Sequence, residues 1–269
     1  MRKRDPSGCQ ALNRGLDILR RLAIEGRSGM RLIDLQRNTN LTRPTVHRIL
    51  GALTRQGLVE QEFETRRYRM SVETGLISSE YGLWAQRMRK LCREQLENTA
   101  EELGDTILLL ARAGSTTVCV DRTSGTNPLA LTVDIGTSRP LGVGAGGIAV
   151  LAALSDEEST AMLQSLRPRL AHYPNASLRS LTIAVRSARA NGYAFSDGFI
   201  SSSVRGVAVP ILNPDGGPIG ALCVAAVYER VNNKTLRAIV KVLTQQRDKI
   251  SQLINKEGTS LSYPAARKT

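Results

Sequence analysis

Residues 39–70 constrain this chain more than any other stretch, because a turn, a short basic helix and an arginine-rich strand–turn–strand follow one another there. Val46, Ile49, Leu50 and Leu53 recur at the spacing of one helix face, so all four are expected in a core. Thr42 stands where a hydroxyl can accept an orphan N–H of the first turn. Pro44 is tolerated at a helix start because early N–H groups have no partner, so the helix should begin near 43. With the apolar stripe turned inward, Pro44, His47, Arg48 and Arg55 face out, and Arg43 and Thr45 hold the exposed amino end. In helix-turn-helix docking that end meets base edges in the major groove, where arginine grips guanine in two-pronged fashion.

The flanks fit the same reading. Residues 30–39 carry Leu32, Ile33 and Leu35 as a small apolar face, with Asn38-Thr39-Asn40 as turn chemistry, and supply the support helix. Upstream, Leu12, Leu16, Ile18, Leu19 and Leu22 form a stripe expected to close a three-helix core and to end near Glu25-Gly26. After Gly57, residues 58–63 and 68–70 flank the polar turn Glu64-Thr65-Arg66 and read as a wing. Arg66, Arg67 and Arg69 there, and Arg2-Lys3-Arg4 in an N-terminal arm, suit phosphates or a minor groove. A plain three-helix packing unit with solvated arginines would look similar residue by residue. Charge distribution separates the two readings: residues 1–90 hold 18 Lys+Arg against 9 Asp+Glu, whereas residues 91–269 hold 19 against 15. Most of the net +13 therefore sits in the first third, as an electrostatic footprint on nucleic acid requires.

The 269 residues, 41% hydrophobic, suit two domains with cores of their own. No apolar run approaches the roughly 18 residues of a membrane span, and Met1-Arg2-Lys3-Arg4-Asp5-Pro6 lacks a signal peptide's apolar stretch, so a cytoplasmic protein without a membrane partner is expected. Cys9, Cys92, Cys119 and Cys223 show no metal-ligand spacing and read as reduced thiols; no metal site and no cofactor is expected. Only His47 and His172 could serve a Ser/His/acid set. The first lies in the reading helix and the second in a loop, neither in a nucleophile motif, so the chain does not read as an enzyme.

From about 91 onward, helices and strands alternate. Helices are expected at 91–103, 146–154, 155–165, 178–191 and 232–255, and strands at 106–111, 117–121, 129–135, 193–199, 205–212 and 218–227. Antiparallel hairpins with helices outside make an α+β domain. Gly142-Val143-Gly144-Ala145-Gly146-Gly147 fits G-x-G-x-x-G, but a dinucleotide fingerprint needs the glycines immediately after a strand of a βαβ unit. Ser138-Arg139-Pro140 reads as an intervening stretch, and the dinucleotide reading is set aside. A glycine-rich turn leading into a helix still forms a small anion site from uncapped N–H groups, or else merely permits close packing. The strands joined by Asn213-Pro214-Asp215-Gly216-Gly217 each have two faces: Gly206, Ala208, Pro210, Ala221, Cys223 and Ala225 are small, whereas Val207, Val209, Ile211, Leu222 and Val224 are bulky. The bulky face should fill the core. Part of the small face is expected to line a ligand pocket, with the glycine turn at one end and Ser196, Asp197 and Ser201-Ser202-Ser203 at the rim.

Three blocks, in order, resemble the IclR family of bacterial transcriptional regulators, and the resemblance covers nearly the whole chain. They are Leu41-Thr42-Arg43-Pro44-Thr45-Val46-His47-Arg48-Ile49-Leu50 with Gly57-Leu58-Val59; Gly136 through Pro140-Leu141 to Gly144-Ala145-Gly146; and Gly192-Tyr193-Ala194-Phe195-Ser196-Asp197 with Arg205-Gly206-Val207-Ala208-Val209-Pro210. The resemblance implies an α+β chain with an N-terminal winged helix-turn-helix domain, a linker helix, a C-terminal GAF-like effector-binding domain, and a homodimer or tetramer. Mapped here, these are a basic arm at 1–9, the reading head at 10–72, the linker at 73–90, the effector domain at 91–255 and a loose tail at 256–269. Trp84, in the linker beside Tyr81, fits either packing within the chain or a dimer contact. By position in the family's motifs, Gly144, Ala145, Ser196, Asp197, Gly206, Cys223 and Ala225 are the implied effector contacts. Family members commonly have Gly-Lys where this chain has Gly146-Gly147, and some have polar groups at the positions of Gly206 and Ala225, which implies a roomier, less polar pocket.

The expected function is a sequence-specific regulator of double-stranded operator DNA, read by Arg43, Thr45, His47, Arg48, Arg66 and Arg67. A small organic acid, with the small-residue face leaning toward an aromatic one, would control it. The competing readings are a metabolite-binding enzyme with an accessory basic domain and a nonspecific DNA-coating protein.

Overall fold

The N-terminal periodicities resolve into α1 (Gln10–Glu25), α2 (Leu32–Thr39) and α3 (Arg43–Arg55), then a hairpin of β1 (Val59–Gln61) and β2 (Tyr68–Met70). The computed structural model describes residues 9–77, 79–127, 133–171, 173 and 175–257, and the chain divides into two compact units, Met1–Leu83 and Trp84–Thr269. The Arg2-Lys3-Arg4 arm, most of the strand expected over 129–135, His172 and the tail beyond 257 lie outside the described residues.

In the first unit, Ile18 and Leu22 of α1, Leu35 of α2, and Val46 and Leu50 of α3 are fully buried, and Val59 and Tyr68 of the hairpin close the core. Each such aliphatic side chain contributes about 1.5–3 kcal/mol. The expected stripes are partly corrected: Leu12 and Leu16 remain 60% and 40% exposed, and Ile49 and Leu53 are only half-buried. The cause is the spacing of α1 from α3. The first turns of α1 run beside α3, where Leu12 and Leu16 line an open groove with Thr45, Arg48 and Ile49 rather than a closed core. Asn40 joins α2 to α3 at φ 52°, a left-handed conformation that asparagine tolerates. Thr42 is the residue capping α3, but its hydroxyl pairs with Thr45 Oγ1 at 2.9 Å rather than with a backbone N–H.

The linker helix expected over 73–90 and the helix expected over 91–103 become α4 (Val72–Ile77) and α5 (Ser79–Leu103), the latter continuous through the break expected at 90. Beyond it come β3 (Thr106–Ala113), β4 (Thr116–Thr123), β5 (Ser138–Pro140), α6 (Ala145–Ala153), α7 (Asp156–Leu170), α8 (Leu178–Asn191), β6 (Ala194–Asp197), β7 (Val204–Leu212), β8 (Pro218–Val227) and α9 (Asn233–Glu257). The strands form one antiparallel sheet in the order β5-β4-β3-β8-β7-β6. Ser138-Arg139-Pro140, read above as an intervening stretch, is therefore an edge strand. The glycine turn does follow a strand, but an antiparallel one, so the βαβ unit of a dinucleotide site is still missing among the described residues.

The two-faced hairpin holds. Val207, Val209, Ile211, Leu222 and Val224 pack with Trp84, Met88, Cys92 and Leu96 of α5 and Ile239, Leu243 and Ile250 of α9. Trp84, 7% exposed, packs within this unit. On the opposite face, register sets small residue against small residue: Gly206 faces Ala225, Ala208 faces Cys223, and Pro210 faces Ala221. That shallow strip lets α6, buried along Ala145 to Leu151, lie directly on the sheet, with α7 and α8 outside it. No helix among the described residues is long and apolar enough to cross a membrane.

Candidate functional site

The outer side of α3 carries Arg43, His47 and Arg48, all exposed, and Thr45, which is half-buried and bonded to Thr42. Among the described residues no hydrogen bond or ion pair engages the side chains of Arg43, His47 or Arg48, so their charge and donors are available outward. Arg48 lies on the α1 side, bordering a groove with Leu12 and Leu16. The wing arginines divide. Arg66, at φ 56° in the turn, lies over the exposed Phe63 ring at 5.4 Å. Arg67 instead donates to the Gly29 carbonyl at 2.8 Å, and Arg69 pairs with Glu60 at 2.7 Å. Arg67 ties the hairpin to the rest of its unit and Arg69 closes the hairpin on itself, so among the described residues Arg66 is the wing arginine whose guanidinium has no hydrogen bond or ion pair.

In the second unit a cavity of about 170 Å³ opens between the small-residue face and the start of α6. Its wall includes Gly144, Ala145, Ser196, Gly206, Cys223 and Ala225, six of the seven expected effector contacts. Asp197 is the correction. Successive residues of a strand point to opposite faces, so Ser196 and Asp197 cannot both face the cavity. Ser196 does, while the Asp197 carboxylate takes the Arg205 side chain (Nε to Oδ1 2.9 Å, Nη2 to Oδ2 3.3 Å). Arg205 also donates to the Val231 carbonyl at 2.6 Å and lies over the Tyr228 ring at 3.6 Å. Ser201, Ser202 and Ser203 are exposed and outside the wall.

Close approach explains the glycines at the start of α6. Gly144 has φ +84°, and a Cβ there would meet Ile200 Cδ1 at 3.0 Å. A Cβ on Gly146 would fall 2.2 Å from Leu110 Cδ1, so a side chain there would have to push the Leu110 side chain aside. The helix start carries no acidic residue and no capping side chain. In contrast, α7 is capped by Ser155, which accepts from Glu158 N at 3.1 Å, and has Asp156, Glu157 and Glu158 in its first turn. The first turn of α6, Gly144 to Gly146, lines the cavity, with the Gly146 N–H against the Cys223 thiol. Burial pushes the Cys223 thiol up to about 12, opposed by the Gly146 N–H and then by the Arg139 charge.

Sequence reasoning missed Thr117 and Arg139, which line the cavity with Leu108 and Leu110. Thr117 shares a face with Cys119 by simple alternation, a signal present in the sequence. Arg139 could not be placed until β5 was known to be a strand. Most of the lining is apolar, no carboxylate belongs to it, and among the described residues no cluster of three or more His, Cys, Asp or Glu could hold a metal.

Residues 11–62 match the IclR helix-turn-helix domain, and residues 83–252 match the family described as bacterial transcriptional regulator IclR C-terminal. The chain is 27% identical over 229 residues to the transcriptional repressor IclR of Escherichia coli K12, covering 83% of this chain and 82% of that one. It is 26% identical over 263 residues to the Pca regulon regulatory protein of Pseudomonas putida, covering 93% and 86%. Among solved structures, an IclR homologue from Microbacterium hydrocarbonoxydans complexed with 4-hydroxybenzoate shares the fold, with a TM-score of 0.66, 19% identity, and coverage of 92% of this chain and 100% of that one.

Proposed function

The chain belongs to the IclR family of bacterial DNA-binding transcriptional regulators, and we propose that a small organic acid, held over the small-residue face of its C-terminal sheet, sets its affinity for operator DNA. The cavity carries this reading. Apolar cavities of about 150 Å³ in proteins hold benzene, so one of about 170 Å³ admits a single ring or a short branched chain with polar substituents. The uncapped start of α6 and the Arg139 charge make its polarity positive, which favours a carboxylate. The 4-hydroxybenzoate bound to the Microbacterium homologue is of this size and charge class.

At the other end of the chain, Arg43, Thr45, His47 and Arg48 enter the major groove, with Arg66 on a neighbouring phosphate. A homodimer or tetramer then pairs two reading heads on half-sites about 34–36 Å apart or a multiple of it. Control is a population shift: the acid binds one conformation of the C-terminal unit more tightly, and the change reaches the rest of the chain through α5, whose Cys92 and Leu96 are wholly buried against the sheet. The test is a thermal-shift screen of the full-length protein with aliphatic and aromatic acids, followed by binding to operator duplex with and without each hit. Saturation at a hundredfold excess over Kd should stabilise the protein by about 2.7 kcal/mol. If no acid stabilises the protein or alters duplex binding, the effector reading falls.

A further inference from the structure

Two charged side chains, Arg139 and Arg205, line the cavity among the described residues, and only Arg205 has a carboxylate partner. Arg205 is neutralised by Asp197, and in the same unit Arg93 and Arg230 are held by Glu97 and Asp105. Arg139 is half-buried and lines the cavity, and among the described residues its guanidinium has no ion pair or hydrogen bond. Its position follows from register: on β5 it sits directly across from Thr117 of β4, which in turn pairs with Arg112 of β3, and that row belongs to the α6 face. Arg139 lines the same cavity as Cys223, and its positive charge lowers the Cys119 and Cys223 thiols against the upward push of burial.

Two hydroxyls on the wall are also unanswered. Thr117 is 4% exposed and Ser196 is 3% exposed, and neither side-chain oxygen has a hydrogen-bond partner among the described residues. Neither oxygen is among the sealed-off orphan atoms of the core, such as Thr106 Oγ1 and Gln246 Oε1, so both are open to the cavity. Thr117 on β4 stands beside Arg139 of the edge strand β5, while Ser196 lies on β6 at the other edge, so these groups mark two ends of one apolar chamber.

We infer that Arg139, assisted by the Thr117 hydroxyl, is the anchor for the effector's anionic group, and that Ser196 serves a second polar substituent at the far end. This rests on the reading that the cavity takes an effector, and adds to it which residue selects an acid over a neutral molecule. A planar guanidinium answers a carboxylate in two-pronged fashion, and the half-buried setting strengthens the attraction over that in water. The effector class is thus a monoanion with an apolar middle and a hydroxyl, carbonyl or amino group opposite the charge.

The test compares 4-hydroxybenzoate with 4-hydroxybenzamide, and benzoate with benzamide, by calorimetry on the full-length protein and its Arg139→Gln and Arg139→Lys variants. The parent should bind each acid about 10- to 100-fold more tightly than its amide, the range expected of charge-assisted hydrogen bonds. Arg139→Gln should abolish that preference by weakening the acids far more than the amides, and Arg139→Lys should retain part of it. Removing the 4-hydroxyl should weaken the parent several-fold and a Ser196→Ala variant not at all. If the acid preference survives in Arg139→Gln, the anchor assignment is wrong and the cavity reading stands. If acids and amides bind equally well to the parent, the assignment is again wrong. If neither binds, the assignment and the cavity reading fall together for single-ring ligands.

Discussion

Filling the cavity from its floor separates ligand sensing from folding. Ala225 is 8% exposed on β8, between Gly206 of β7 and Thr106 of β3, and its Cβ is part of the cavity wall. Ala225→Phe would place a benzene-sized group in a space of about 170 Å³, where an apolar void of roughly 150 Å³ is what benzene itself occupies elsewhere. Little room would remain for a ligand. Burying the ring should add up to about 3 kcal/mol, and overpacking against α6 should cost about 1–3 kcal/mol, so the two nearly cancel. With about 2–4 °C per kcal/mol for a unit of this size, the melting temperature should move by only a few degrees. Calorimetry with whichever acid binds the parent should show affinity down more than 100-fold, while fluorescence anisotropy shows ligand-free operator binding unchanged. A variant that binds the acid within threefold of the parent would refute the wall assignment.

At the reading helix, Arg43→Ala and Arg48→Ala should each weaken operator binding by about 10- to 100-fold and relax preference at one base position, at a cost of about 1–3 kcal/mol per lost base contact, with a smaller loss on random duplex. Competition binding checks this, and equal losses on both duplexes would show that the residues touch only phosphate. The buried thiols give a pH signature. Burial pushes Cys92 and Cys223 from 9.0 to about 12 and Cys119 to about 11, so the folded state favours the protonated form. The stabilisation is whole below 9 and is lost as pH rises from 9 toward 11–12, because only the unfolded chain releases those protons there. Urea midpoints should therefore fall between pH 8.5 and 10.5, less steeply in Cys92→Ala; equal slopes would contradict the burial of that thiol.

Period-two alternation made the second hairpin legible before any coordinates: its small face and bulky face went to the layers expected of them, because a strand cannot rotate one residue without exposing its whole apolar set. The start of α3 at Arg43 was equally readable from Pro44 and the apolar stripe. Where the reading slipped, long-range geometry was missing. Leu12 and Leu16 repeat correctly, but nothing local shows that they border an open groove beside α3. Asp197 looked like a pocket acid by position in a motif, whereas strand alternation beside Ser196 turns it to Arg205. Arg139 was hidden because three residues around a proline give no strand signal; β5 exists through its pairing with β4. Arg67 reads as a phosphate contact until the fold brings Gly29 within 2.8 Å of it.

The most direct measurement is a complete binding cycle on the full-length protein: operator affinity with and without saturating acid, and acid affinity with and without saturating operator duplex. The duplex can be selected by the protein itself from random sequence. Thermodynamic linkage requires the two ratios to be equal, and a regulator should show a factor of about 5–150. Equal ratios in that range, both collapsing to one in Ala225→Phe, are the expected result. An acid that binds tightly yet leaves operator affinity unchanged would contradict the coupling of cavity to reading helix.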